Sequence, residues 1–185
     1  MERKLGNPAP LGLFAFASTT WLLSMVNAGW FDEKSVVLVL SMALVFGGTV
    51  QAIAGILAFL RGDTFPGVAF MGYGAFWISL VTFEKFFGGG APAPFVGWYL
   101  FIWGVFSFYM WIATFRHNAA LQLTFLALWI TFLLLAGGAF FGMAALHAAG
   151  GYLGLVTACL AAYLSAAEII NGDYGRSVLP VGPYA

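Results

Sequence analysis

Few side chains in this 185-residue chain could do chemistry, and most of them sit inside long apolar stretches. They are Thr19 and Thr20, Gln51, Tyr73 with Trp77 one turn on, Thr124 and Thr131, and Glu168. These residue types can exchange hydrogen bonds, but they do not assemble a nucleophile, a base and an acid, so the sequence argues against an enzyme. No group of His, Cys, Asp or Glu has metal-ligand spacing, and no glycine loop for a phosphate is present, so no metal or cofactor is expected. Thr124, Leu128 and Thr131 are spaced by four and three residues and therefore share one helix face. Threonines in membrane helices commonly bond back to their own backbone or help helices pack. Gln51 is harder to place, because its amide needs partners where free water is scarce. The flanking Gly47, Gly48 and Gly55 allow a neighbouring backbone to supply them, so helix glue and path lining both stay open. Glu168 is expected to reach the interface or to pair with Arg116 or Arg176, stabilising that end without carrying protons. His117 reads as a loop residue. His147 opens the last apolar span and could titrate, but two isolated histidines do not make a metal site or a proton relay.

The elements that hold these residues follow from the charges. Charged residues cluster at 2–4, 32–34, 61–63, 84–85, 116, 168 and 173–176, and the stretches between them are charge-free. A helix needs about 20 apolar residues to cross the hydrocarbon core. The pattern predicts an all-α polytopic membrane protein with six transmembrane helices near 8–29, 35–60, 66–83, 95–115, 119–140 and 146–170, forming a single domain over 1–185. Composition agrees: the chain is 62% hydrophobic and 8% charged, against about 25% charged in soluble domains. A net charge of zero gives no reason to expect nucleic acid as a partner; the partner is the lipid bilayer. The lone Cys159 has no intrachain disulfide partner. The first span ends in Asn27-Ala28-Gly29-Trp30 and reads as a helix, not as a cleaved signal.

Asn7 is a natural cap for the first span, with Pro8 and Pro10 in its first turn, where a missing N–H costs nothing. With six spans both chain ends share a face. Arg3, Lys4, Arg61, Arg116 and Arg176 lie there, against Lys34 and Lys85 on the other face. This bias predicts cytoplasmic termini in a cell (plasma or inner) membrane. Asn7-Pro8-Ala9-Pro10-Leu11 echoes Ala91-Pro92-Ala93-Pro94-Phe95. The two open helices of opposite direction, as two inverted three-helix halves would.

Asn7-Pro8-Ala9-Pro10-Leu11-Gly12-Leu13 resembles the signature of the acetate uptake transporter family, the succinate–acetate permease type. Tyr73-Gly74-Ala75-Phe76-Trp77, Trp103-Gly104-Val105-Phe106 and Tyr174-Gly175-Arg176-Ser177-Val178-Leu179-Pro180 extend the resemblance over essentially the whole chain. It implies a six-helix protein that moves acetate and related small carboxylates such as succinate. It also implies a homo-hexamer with one pore per protomer. By motif position the family's constriction falls on Phe16, Tyr73 and Leu128. Members commonly have Gly-Met before the Thr-Thr pair, where this chain has Ala17-Ser18. On this reading Asn7 and the start of the first helix favour an anion. Thr19, Thr20, Gln51, Tyr73, Trp77, Thr124 and Thr131 replace part of its water shell. The alternative is a channel for small neutral solutes such as urea, which would use the same hydroxyl-lined path.

Overall fold

The computed structural model describes residues 5–88 and 90–182. It contains six helices long and apolar enough to cross a membrane: α1 Ala9–Asn27, α2 Glu33–Leu60, α3 Thr64–Phe86, α4 Ala93–Arg116, α5 Ala119–Phe141 and α6 Ala144–Tyr174. With short loops, successive helices alternate in direction. The starts of α1, α3 and α5 and the ends of α2, α4 and α6 therefore meet at one face of the bundle, called here the near face. This is a multi-pass membrane architecture, and no β-strand occurs among the described residues.

The helix ends follow local chemistry. Asn7 Oδ1 accepts from the Ala9 N–H at 3.0 Å, with Pro8 and Pro10 around the first turn. Asn118 Oδ1 accepts from Leu121 N at 2.9 Å and opens α5. Gly142 closes α5 with φ 61°, a left-handed conformation that a side chain disfavours. All the helices after α1 run longer than the charge pattern predicts, the third and the last most of all. The third starts at Thr64, not Pro66, and ends at Phe86, not Phe83. The last continues through Gly172 to Tyr174 and is closed by Gly175 in the left-handed conformation, φ 61°. Beyond it the chain folds back: Asn171 Oδ1 accepts from the Val178 and Leu179 N–H groups, and Val181 O accepts from Ala120 N at the start of α5.

Two kinds of contact build the bundle. Along α1 and α6 the helices touch closely, because Gly151 faces the Asn27–Ala28 backbone and Gly154 faces Ser24. Between α3 and α4 the spacing is set by aromatic rings, with Phe76 stacked on Tyr99 and Tyr73 edge-on to Phe106. An inverted repeat would map the first contact onto the second, and here they differ in kind. The buried core is correspondingly aromatic: Phe16, Tyr73, Phe76, Trp77, Phe125 and Phe132 cluster with Leu128 between α1, α3 and α5.

The middle of α2 departs from regular α-helix. Ala43–Val50 is a π-helix, wider than an α-helix by about one residue per turn. Thr49 Oγ1 reaches back five residues to Leu44 O at 2.8 Å, which suits the wide turn. Gly47 lies against Thr19 of α1, and Gly48 lies against Ile78 of α3. The extra residue changes the register of everything after it, beginning with Gln51.

Candidate functional site

A cavity of about 450 Å³ opens at the near face and runs inward between the helices. Its mouth carries the polar residues Asn7, Arg61, Asp63, Thr64, His117 and Glu168. Deeper, Leu13, Ala69, Phe70 and Phe125 make the wall apolar. Phe16, Tyr73 and Leu128 line its inner end, and Gln51 reaches it from α2. The three lie seven to nine residues into α1, α3 and α5. At roughly 1.5 Å per residue they share a depth of about 10–14 Å. They are 6%, 2% and 3% exposed, so all three are buried where the cavity ends. The Phe16 and Tyr73 rings are 5.5 Å apart between centroids.

Ser107 fixes the orientation of Tyr73. Ser107 Oγ donates to Trp103 O at 2.8 Å, so its lone pair accepts the Tyr73 O–H at 2.9 Å. The Tyr73 phenol is therefore committed to α4 and does not offer its proton to the cavity. The threonines behave similarly. Thr19 donates to Ala15 O, Thr124 to Ala120 O, and Thr131 to Ala127 O. Of the two roles open to these threonines, bonding back to the backbone is the one found, and replacing a solute's water shell is not. Their protons are used on the backbone, and only acceptor lone pairs remain.

Four other side chains have donors to spare among the described residues. Gln51 is fully buried, and neither its Nε2 nor its Oε1 has a hydrogen-bond partner among the described residues. The same holds for Thr20 Oγ1 and Trp77 Nε1. Thr20 and Trp77 lie four residues beyond Phe16 and Tyr73 and so share their helix faces, one turn further from the near face. Trp129 Nε1 is also unpartnered, but its ring packs on Phe108 and Trp111. The cavity thus brings together Asn7, Phe16, Gln51, Tyr73, Thr124 and Leu128. Thr19, Thr20, Trp77 and Thr131 lie outside its lining.

The mouth corrects the expectation for Glu168. Among the described residues Glu168 pairs with neither Arg116 nor Arg176; its Oε2 accepts from Asn7 Nδ2 at 2.8 Å. Arg61 is engaged elsewhere, with Asp63 at 3.0 Å and with Leu5 O. His117, a loop residue as expected, packs its ring at a tilt against Phe65 with centroids 4.9 Å apart and borders the mouth, a role its sequence context did not suggest.

The family model described as GPR1/FUN34/yaaH matches residues 1–183. The chain belongs to this family. Among GPR1/FUN34/yaaH relatives, the succinate-acetate/proton symporter SatP of Escherichia coli strain K12 is 42% identical over 97% of this chain and 96% of its own length. A solved structure of the bacterial acetate channel SatP superimposes with a TM-score of 0.92 at 40% identity, covering 97% of this chain and 100% of the other. Two fungal members are each 35% identical over 98% of this chain and 67% of their own length. They are Acetate permease A of Emericella nidulans and Ammonia transport outward protein 2 of Saccharomyces cerevisiae. The resemblance drawn from the NPAPLGL motif is thereby borne out, as is the six-helix fold. The named relatives are transporters and channels, not enzymes.

Proposed function

We propose that the protein moves acetate and related small carboxylates, succinate among them, across the membrane along a path that continues the cavity past Phe16, Tyr73 and Leu128. The observation that carries this reading is Gln51. A buried amide left unmet costs about 1–3 kcal/mol per group. Both ends of this one are unmet by the described protein at the inner end of a cavity. Its free N–H groups, with the Thr20 hydroxyl and the Trp77 indole N–H, suit a carboxylate, which accepts hydrogen bonds and cannot donate them. No fixed positive charge lines the inner end, so the solute is held weakly and can leave. Phe16, Tyr73 and Leu128 are the constriction: apolar side chains closing a narrow path make it dry, and a bare carboxylate crosses a dry gap only at high cost. The names of the relatives support the same substrate class.

The rival is a channel for a small neutral solute such as urea. Gln51 Oε1 could accept from urea as readily as Nε2 donates to acetate. Proteoliposome flux separates the two. Radiolabelled acetate uptake well above empty liposomes, with urea uptake at background, is the expected result. Urea uptake without acetate uptake would overturn the proposal.

The near face is proposed to be cytoplasmic. Arg61, Arg116 and Arg176 lie at that face, while Lys34 and Lys85 belong to the opposite one. The termini themselves, with Arg3 and Lys4, fall outside the described residues. Native mass spectrometry tests the proposed homo-hexamer, in which each protomer keeps its own path. The exposed apolar faces of α2 and α4, such as Leu38, Val45, Trp98 and Ile102, are available to lipid and to neighbouring copies. The two inverted halves rest on the likeness of Asn7–Leu11 to Ala91–Phe95 alone, and the unlike α1–α6 and α3–α4 contacts count against them.

A further inference from the structure

The mouth of the cavity holds a carboxylate where a permeant carboxylate would be expected to dock. Asn7 stands at the start of α1, where exposed N–H groups and the helix dipole favour negative charge. Its amide cannot turn round, because Oδ1 already accepts from the Ala9 N–H. Nδ2 must then face outward, and Glu168 Oε2 takes it at 2.8 Å. The protein's own side chain occupies the polar donor that the first helix offers at the mouth.

The charge around it is unbalanced. Arg61 is the cation that lines the same mouth, and it is paired with Asp63 at 3.0 Å. Its Nη1 donates to Leu5 O, in the segment that precedes α1. Thr64 and Asn7 are neutral. His117 borders the mouth from the α4–α5 loop, with its ring against Phe65. Among the described residues, Glu168 has no Lys or Arg partner. The hydrogen bond from Asn7 needs only an acceptor oxygen, which a neutral amide would also supply, so it does not account for a charge beside a path for anions.

We infer that Glu168 is a charge filter that sets the preference for monocarboxylates over dicarboxylates. A monoanion entering the mouth meets one unit of repulsion from Glu168, and a dianion meets roughly twice as much. Two unit charges a few ångströms apart in a partly solvated site interact strongly enough to change an equilibrium by about fivefold or more. The second negative charge of succinate is therefore penalised by about that factor relative to acetate. Because the mouth is open to solvent, the effect is screened by salt. This inference rests on the carboxylate reading above.

The test is paired acetate and succinate uptake into proteoliposomes at matched osmolality. Glu168→Gln keeps an oxygen that can accept from Asn7 but removes the charge. It should raise the succinate-to-acetate uptake ratio about fivefold. Glu168→Asp keeps the charge and should leave the ratio near that of the unsubstituted protein. A purely structural role would instead lower both fluxes together and leave the ratio unchanged. In the unsubstituted protein, raising the salt concentration should raise the same ratio. That measurement stands even where Glu168→Gln yields no folded protein. A ratio that moves less than about twofold in Glu168→Gln, or is indifferent to salt in the unsubstituted protein, overturns the filter. Acetate uptake with an unchanged ratio overturns the filter alone, whereas absence of acetate uptake brings down the carboxylate reading as well.

Discussion

Tyr73 gives its hydroxyl proton to Ser107, across the gap between α3 and α4, and in doing so turns its ring onto Phe16. The bond positions a wall and does not serve a solute. Tyr73→Phe keeps the ring and loses one buried hydrogen bond, worth about 1 kcal/mol. It should lower thermal stability slightly and change acetate flux by no more than about threefold, with the size cutoff intact. Ser107→Ala should behave alike, and the double variant should show less than the sum of the two effects, since one bond is lost in all three cases. Thermal unfolding in detergent and proteoliposome flux check both points.

Gln51 should separate stability from transport. Replacing an unpaired buried amide by an apolar side chain of similar size removes a desolvation cost. Gln51→Leu is expected to unfold at the same temperature as the unsubstituted protein or higher, while acetate flux falls about tenfold. A joint loss of stability and flux would assign Gln51 to helix packing instead.

Gly151 offers a purely structural counterpart. A methyl group there meets the backbone of Asn27 and Ala28, which cannot rotate aside. Gly151→Ala should therefore cost about 1–3 kcal/mol through forced separation of α1 and α6. The thermal midpoint should drop by several degrees, while flux per folded protein stays close to normal.

Orientation is testable without transport. Single cysteines at Glu2 and Tyr184, in a Cys159→Ser background, should resist a membrane-impermeant thiol reagent in intact cells and react after lysis. Labelling of either one in intact cells would place the near face outside.

The spans were legible in the chain because the bilayer imposes one rule on every residue: charged groups must stay at its faces, and the gaps between Arg61, Glu84 and Arg116 record that rule directly. The proline starts of α1 and α4 were legible for a similar local reason. Direction of hydrogen bonding was not. Whether Thr124 donates to its own backbone or to a solute depends on rotamer and neighbours, and nothing in Leu123-Thr124-Phe125 decides it. The π-turn in α2 was also invisible, although Gly47-Gly48-Thr49 supplied its parts, because the register shift is stabilised by α1 and α3 packing into it. The partner of Glu168 was not legible, because Asn7 lies 161 positions away and is itself oriented by its bond to the Ala9 N–H. Charge arithmetic favoured an arginine, while the fold delivered an amide.

The central claim is that Phe16, Tyr73 and Leu128 close a dry gap that limits both rate and solute size. It is tested most directly by comparing acetate and succinate flux through proteoliposomes holding the unsubstituted protein, Phe16→Ala or Leu128→Ala, each normalised to folded protein. Truncating either side chain widens the gap and admits water, which lowers the cost of moving a carboxylate through it. The account predicts several-fold faster acetate flux in both variants and entry of acids larger than the unsubstituted protein accepts. Unchanged flux and an unchanged size cutoff in both well-folded variants would contradict it.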